Sequence, residues 1–161
     1  MKFGIHNPSW QFGTDPAGIF EAVAAKARWA EDHGFVWFSV MDHLIQIGGV
    51  GAPDEPFMEG WTVLSALAAV TSQIRLATLA SSVAYRNPAH LAKIAAGVDQ
   101  ISLGRLGAGE GFRGVAATPA EASDLIGRYA ASGVKLFIAS AWRNDAETLE
   151  LLASGVMPQH A

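Results

Sequence analysis

The stretch Ser81-Ser82-Val83-Ala84-Tyr85-Arg86-Asn87-Pro88-Ala89-His90-Leu91-Ala92-Lys93 decides how this chain reads. It joins an apolar run, Ile74 to Val83, to a helical pattern. Asn87 is a favoured N-cap residue, and Pro88 suits the first helical position, where no amide donor is needed. Leu91, Ile94, Ala95, Val98 and Ile101 then recur at helical spacing and predict one buried stripe. The unit is a strand followed by a crossover helix.

The same alternation extends in both directions. Lys2 to His6 reads as a first strand that ends in Asn7-Pro8-Ser9. Asp15-Pro16 opens a helix carrying Ile19, Phe20, Val23, Ala27 and Ala30, and Gly34 is placed to end it in the left-handed region. Phe35 to Val40 is nearly all apolar, as in a parallel strand covered on both faces. Residues 46 to 60, with Gly48, Gly49, Gly51, Pro53 and Pro56, predict a loop, and a helix follows from about Thr62 to Thr71. Downstream, Leu103 to Gly109 reads as a short strand weakened by Gly104, Gly107 and Gly109. Thr118-Pro119-Ala120-Glu121 is a capping box opening a helix that Gly133 ends. Val134 to Ala139 is a further strand, and Asn144 opens a last helix that stops at Pro158. Five parallel strands alternating with helices are expected.

Composition narrows the function classes. The 161 residues fit one domain, half of them hydrophobic and 16% charged. The formal net charge is -4 and no basic run occurs, so nucleic-acid binding lacks electrostatic support. With no cysteine, disulfides, thiolate catalysis and Cys-ligated zinc are excluded, and a cytoplasmic location is the simplest expectation. No apolar run approaches the ~18 residues of a membrane helix, and the amino terminus does not read as a signal peptide. The five histidines are scattered and do not predict a metal site.

Phe3-Gly4-Ile5-His6, Met41-Asp42-His43 and the run from Ser81 to Leu106 resemble the luciferase-like monooxygenase family, in its deazaflavin-dependent branch. The resemblance implies a (β/α)8 barrel, which typically needs about 250 residues. Residues 1–106 resemble strands one to four, and residues 117–158 the closing helix, strand eight and final helix. Between them Leu106 runs through Gly107-Ala108-Gly109-Glu110-Gly111-Phe112-Arg113-Gly114 into Val115. The resemblance therefore implies an internal deletion of strands five to seven, and with them of the cofactor phosphate loop. The expected fold is one α/β domain, residues 1–161, a truncated TIM-barrel-like arc of about five strands. Two open edges flanked by apolar residues such as Phe35 to Val40 predict completion by dimerisation.

Barrel enzymes carry their chemistry at the carboxyl ends of the strands, where His6, Asp42, His43, Ser81, Ser82, Val83, Tyr85 and Glu110 fall. By resemblance, His43 is the catalytic base and Glu110 an acid. A hydrogen-bonded mouth histidine and a solvated loop glutamate are the bland alternatives. Asp42 either contacts a deazaflavin ring or serves as a cap or as a partner holding His43. Ser82-Val83 resembles the family's cis peptide behind that ring, with His6, Ser81 and Tyr85 around it. The cofactor implied is the deazaflavin coenzyme or FMN, with Arg86, Arg105 and Arg113 as candidate partners for its anionic tail. Two functions are expected. The first is a shortened, non-catalytic barrel module that self-assembles. The alternative is a flavin- or deazaflavin-dependent oxidoreductase moving a hydride between cofactor and a small organic substrate.

Overall fold

The computed structural model describes residues 1–82, 84–107, 119–131, 133, 135–140 and 146–160. Strand β1 (Lys2–Asn7), helix α1 (Ile19–Asp32), β2 (Trp37–Val40), α2 (Gly60–Val70), β3 (Arg75–Thr78) and α3 (Pro88–Ile101) alternate as expected. Helix α4 (Pro119–Ala131), β4 (Leu136–Ser140) and α5 (Ala146–Leu151) follow, and α5 continues through a π-helical turn, Leu152–Val156. The strands form a parallel sheet in the order β3-β2-β1-β4. The last strand thus returns to pair with the first.

Among the described residues that sheet has four strands, where five were expected. The expected strand at Leu103 is reduced to a single bridge, Leu76 with Leu106. The Leu76 amide donates to the Arg105 carbonyl at 3.0 Å, and the Gly107 amide to the Leu76 carbonyl at 2.8 Å. Leu103 and Gly104 both have positive φ, which turns the chain before a ladder can form. Gly107 lies so close to the Trp37 ring that a Cβ there would sit 2.4 Å from it. Ala108 and Gly109, the end of the expected strand, lie outside the described residues.

Local signals explain most helix boundaries. Asn87 Oδ1 accepts from the amides of Ala89 and His90, at 2.9 and 3.4 Å, and Pro88 is the first residue of α3. Gly34 and Gly133 have φ of 79° and 96°, as expected of residues that stop a helix in the left-handed region. The Asp15 side chain makes no cap bond. Its carbonyl instead accepts from Gly18 in a short 3-10 turn, Pro16–Gly18, that precedes α1. Thr118, the expected cap of α4, lies outside the described residues. Ile101, expected in the buried stripe of α3, is half exposed, whereas Val98 is buried.

One face of the sheet carries Phe3, Ile5, Phe38, Val40 and Leu76 against α1 and α2 and forms the main core with Val23, Ala27, Leu64 and Leu67. The other face carries Gly4, Trp37 and Arg75 in one row and His6, Ser39 and Ala77 in the next. Within the single chain Phe35, Trp37, Phe38 and Val40 are at most 4% exposed. The exposure expected to force dimerisation therefore does not arise at these residues. Exposed apolar groups lie elsewhere, at Leu44, Ile45 and Leu103.

Two long-range polar contacts tie the amino-terminal ends of the strands. The Glu31 carboxylate at the end of α1 accepts from the amides of Ser72, Gln73 and Ile74, at 2.7–3.0 Å. Burial acts to raise its pKa, but those three amides outweigh it and hold the carboxyl below its ordinary value. Arg105 donates from Nε to the Ser102 carbonyl, and from its two terminal nitrogens to Thr71 Oγ1 and the carbonyls of Ala68, Thr71 and Ile74. It closes the end of α2, where carbonyls lack helical partners.

Candidate functional site at the strand ends

The carboxyl end of β3 opens on a cleft of about 400 Å³ lined by Trp61, Thr78, Leu79, Ala80, Ser81, Leu106 and Gly107. The Leu79–Ala80 peptide on its wall is cis. The expected cis bond lies three residues later, at Ser82–Val83. Val83 itself lies outside the described residues.

Behind the cleft lies a compact ionic cluster. The Asp42 side chain, fully buried after β2, receives Arg86 Nη1 at 2.7 Å and Nη2 at 2.6 Å. Such a two-pronged pair suits the planar guanidinium. Arg86 also pairs with Glu59, and Ser81 Oγ donates to Asp42. The Trp61 indole N–H donates to Ser81 Oγ at 2.9 Å. Glu59 caps α2, accepting from the Trp61 and Thr62 amides and the Thr62 hydroxyl. Burial acts to raise the Glu59 pKa, but the Thr62 hydroxyl and amide, the Trp61 amide and Arg86 together lower it. The hydrogen bond to Asp42 is the main cause raising the Arg86 pKa. Two carboxylates and one guanidinium leave this cluster with one net negative charge.

A second polar group lies at the end of β1. His6 Nδ1 is 3.1 Å from Ser39 Oγ, and Lys26 Nζ donates to Asn7 Oδ1 at 2.9 Å. Burial lowers the His6 pKa from 6.5 to about 4, assisted by the Lys26 charge. Burial likewise lowers Lys26 from 10.5 to about 7. A depressed histidine pKa means that the unfolded chain binds a proton first, so stability is full above pH 6.5 and declines as pH falls toward 4. Between pH 7 and pH 5 the loss from His6 is expected to be about 2 kcal/mol at ~1.4 kcal/mol per unit. Urea unfolding at the two pH values checks it. His6→Asn should remove that part of the pH dependence, and an unchanged dependence in the variant would contradict it.

The expected site residues divide as follows. Ser81 lines the cleft, and Asp42 stands one hydrogen bond behind it. Asp42 neither caps a helix nor holds His43; its partners are Arg86 and Ser81. His6 sits on the buried inner face beside Ser39. His43 is half-buried and does not line the cleft. Ser82 accepts from the Ala84 amide, and Tyr85 is 41% exposed. Glu110 and Arg113 lie outside the described residues. Arg86 and Arg105, offered as partners for an anionic tail, are both engaged within the protein. Trp61 and Glu59 were missed as site residues, since nothing in their spacing links them to Ser81 or Arg86. Among the described residues no group of His, Asp and Glu is arranged to hold a metal, and no helix is long and apolar enough to cross a membrane.

Comparison with known proteins places these features. The chain is 40% identical over 112 residues to an uncharacterized protein of Mycobacterium tuberculosis, Rv0953c, and equally to Mb0978c of Mycobacterium bovis. Each match covers 62% of this chain and 39% of the relative, so the matched part is about two-fifths of their length. Among solved structures it is similar to the monooxygenase RslO1 of Streptomyces bottropensis, with TM-score 0.54 and 33% identity over 66% of this chain and 31% of that one. It is also similar to the oxygenating constituent of 3,6-diketocamphane monooxygenase from Pseudomonas putida, solved with FMN, with TM-score 0.54 and 25% identity over 78% of this chain and 32% of that one. Residues 1–135 match the family described as luciferase-like monooxygenase. With that match covering most of its length, the chain belongs to the luciferase-like monooxygenase family.

Proposed function

We propose that this chain is a shortened luciferase-like barrel module that retains a ring-sized cleft but does not hold a phosphorylated flavin or catalyse hydride transfer by itself. The observation that carries the reading is the ionic cluster beside the cleft. Arg86 is neutralised by Asp42 and Glu59, and Arg105 is spent on the end of α2. Among the described residues no arginine at the cleft is left for an anionic tail, whose binding relies on donors of that kind. Loss of strands five to seven is part of the same proposal. It is supported by the return of β4 to the side of β1, the closing contact of a barrel. Self-assembly belongs to it as well, with support now from the exposed Leu44, Ile45 and Leu103 rather than from the strands.

The alternative is an oxidoreductase using FMN or the deazaflavin coenzyme, with His43 and Glu110 as proton carriers. The FMN-bound relative favours it, and it needs the missing phosphate partner to come from elsewhere. Titration of the purified protein with FMN and with the deazaflavin coenzyme separates the two, and light scattering of the same sample reads its assembly. The module reading predicts no saturable binding of either below about 100 μM, roughly 5.5 kcal/mol of affinity. Low-micromolar binding with turnover lost in His43→Ala would establish the enzyme instead.

A further inference from the structure

Helix α4 and the carboxyl-terminal segment bound an open groove of about 750 Å³ that the site described above does not use. We infer that a second copy of this chain occupies it, with α4 of each copy lying antiparallel along α4 of the other about a two-fold axis. The inference rests on the self-assembly in the reading above and names the surface that carries it. Leu44, Ile45 and Leu103 are exposed but sit on two different connections, after β2 and after α3, whereas this groove runs along one helix.

Sequence spacing builds the groove. Ala120, Asp124, Gly127, Arg128 and Ala131 recur at intervals that place them along one side of α4. Ile126, on the side turned away from the groove, is fully buried in the core. Ala120, Gly127 and Ala131 carry little or no side chain, so a second helix can approach to about 8 Å between axes, the close end of helix packing. Gly155, Gln159 and His160 form the other bank. Ser123 Oγ donates to Gln159 Oε1 at 2.8 Å and lies 2.9 Å from His160 Nε2. The Met1 ammonium donates to the His160 carbonyl at 2.5 Å. These contacts hold the bank in place before anything docks, which lowers the ordering cost of association.

Charge selects the occupant. Asp124 and Arg128 pair with each other in the groove, with side chains 67% and 66% exposed. An exposed pair of this kind adds little to one chain by itself. Its pattern, however, is self-complementary. In an antiparallel pair, the register that sets Ala120 opposite Ala131 of the other copy also brings Asp124 within one residue of the level of that copy's Arg128. The two-fold axis repeats the contact, so two ion pairs form across the interface. A parallel arrangement would set like charges side by side, which is costly.

The chain has no cysteine, so single introduced cysteines report the contact without background. Under mild oxidation, a mixture of Ala120→Cys and Ala131→Cys is expected to give a cross-linked dimer joining the two variants. Each variant alone should give about tenfold less, because a disulfide needs its two Cα atoms within about 7 Å. Sedimentation of the parent chain at about 100 μM should show a dimer. Asp124→Arg should weaken that dimer about tenfold or more, and adding Arg128→Asp should restore it. Circular dichroism checks that each variant is folded, and if Asp124→Arg is not, the cysteine mixture decides alone. A parent dimer that Asp124→Arg leaves unchanged, or cross-linking as strong in Ala120→Cys alone as in the mixture, would overturn the inference while self-assembly through another face stands. A parent chain that stays monomeric at that concentration would remove both.

Discussion

Replacing Arg86 by alanine is expected to destabilise the protein by about 3–5 kcal/mol, the largest single effect in this structure. The reason is what remains rather than what is removed. Asp42 is fully buried, and its carboxylate would keep only the Ser81 hydroxyl of its present partners. An uncompensated buried charge is costlier than the loss of a contact. Glu59 would lose its cation too, but it is partly exposed and keeps its cap bonds to Trp61 and Thr62, so its share is small. Chemical denaturation of the variant checks the figure. Stability within about 0.5 kcal/mol of the parent, the usual range for surface changes, would show that the pair is not what fixes this end of the sheet.

Replacing Arg105 by alanine is expected to cost about 2–4 kcal/mol, because the carbonyls of Ala68, Thr71 and Ile74 lose their donor together. Water can reach part of this site, which keeps the cost below that of Arg86. Arg105→Lys should recover little, since one ammonium cannot span acceptors that a planar fork holds at 2.8–2.9 Å. Hydrogen exchange should localise the damage to the end of α2. Full stability in the lysine variant would contradict the fork argument.

Both residues show why the fold was more legible than the site. The alternation of strands and helices follows from local signals that a few neighbouring residues carry. Asn87-Pro88, Gly34 and Gly133 act within one turn of their own positions, and all three behave as their types predict. The fourth expected strand failed because Leu103 and Gly104 turn the chain and Gly107 packs on Trp37, a contact between distant residues. The site depends on such contacts throughout. Asp42 and Arg86 are 44 residues apart, and Ser81 reaches Asp42 across 39. From sequence Arg86 reads as a free cation for an anionic tail, and only the fold reveals the two carboxylates that occupy it. Glu59 escaped for a different reason. Glutamate is not a favoured cap residue, so the start of α2 was placed two residues late. The inner face of the sheet carried a similar error. The open edges of the sheet predict exposure around Phe35 to Val40, yet Phe35, Trp37, Phe38 and Val40 are covered within one chain.

Arg86 can serve either Asp42 or a ligand, not both. A double-mutant cycle with Arg86→Met, Asp42→Asn and the pair, read by urea unfolding of the ligand-free protein, measures this directly. A coupling of about 2 kcal/mol or more is predicted, with Asp42→Asn rescuing much of the Arg86→Met loss. Additive effects with no rescue would mean that the guanidinium is not committed to this carboxylate and is available to an anion.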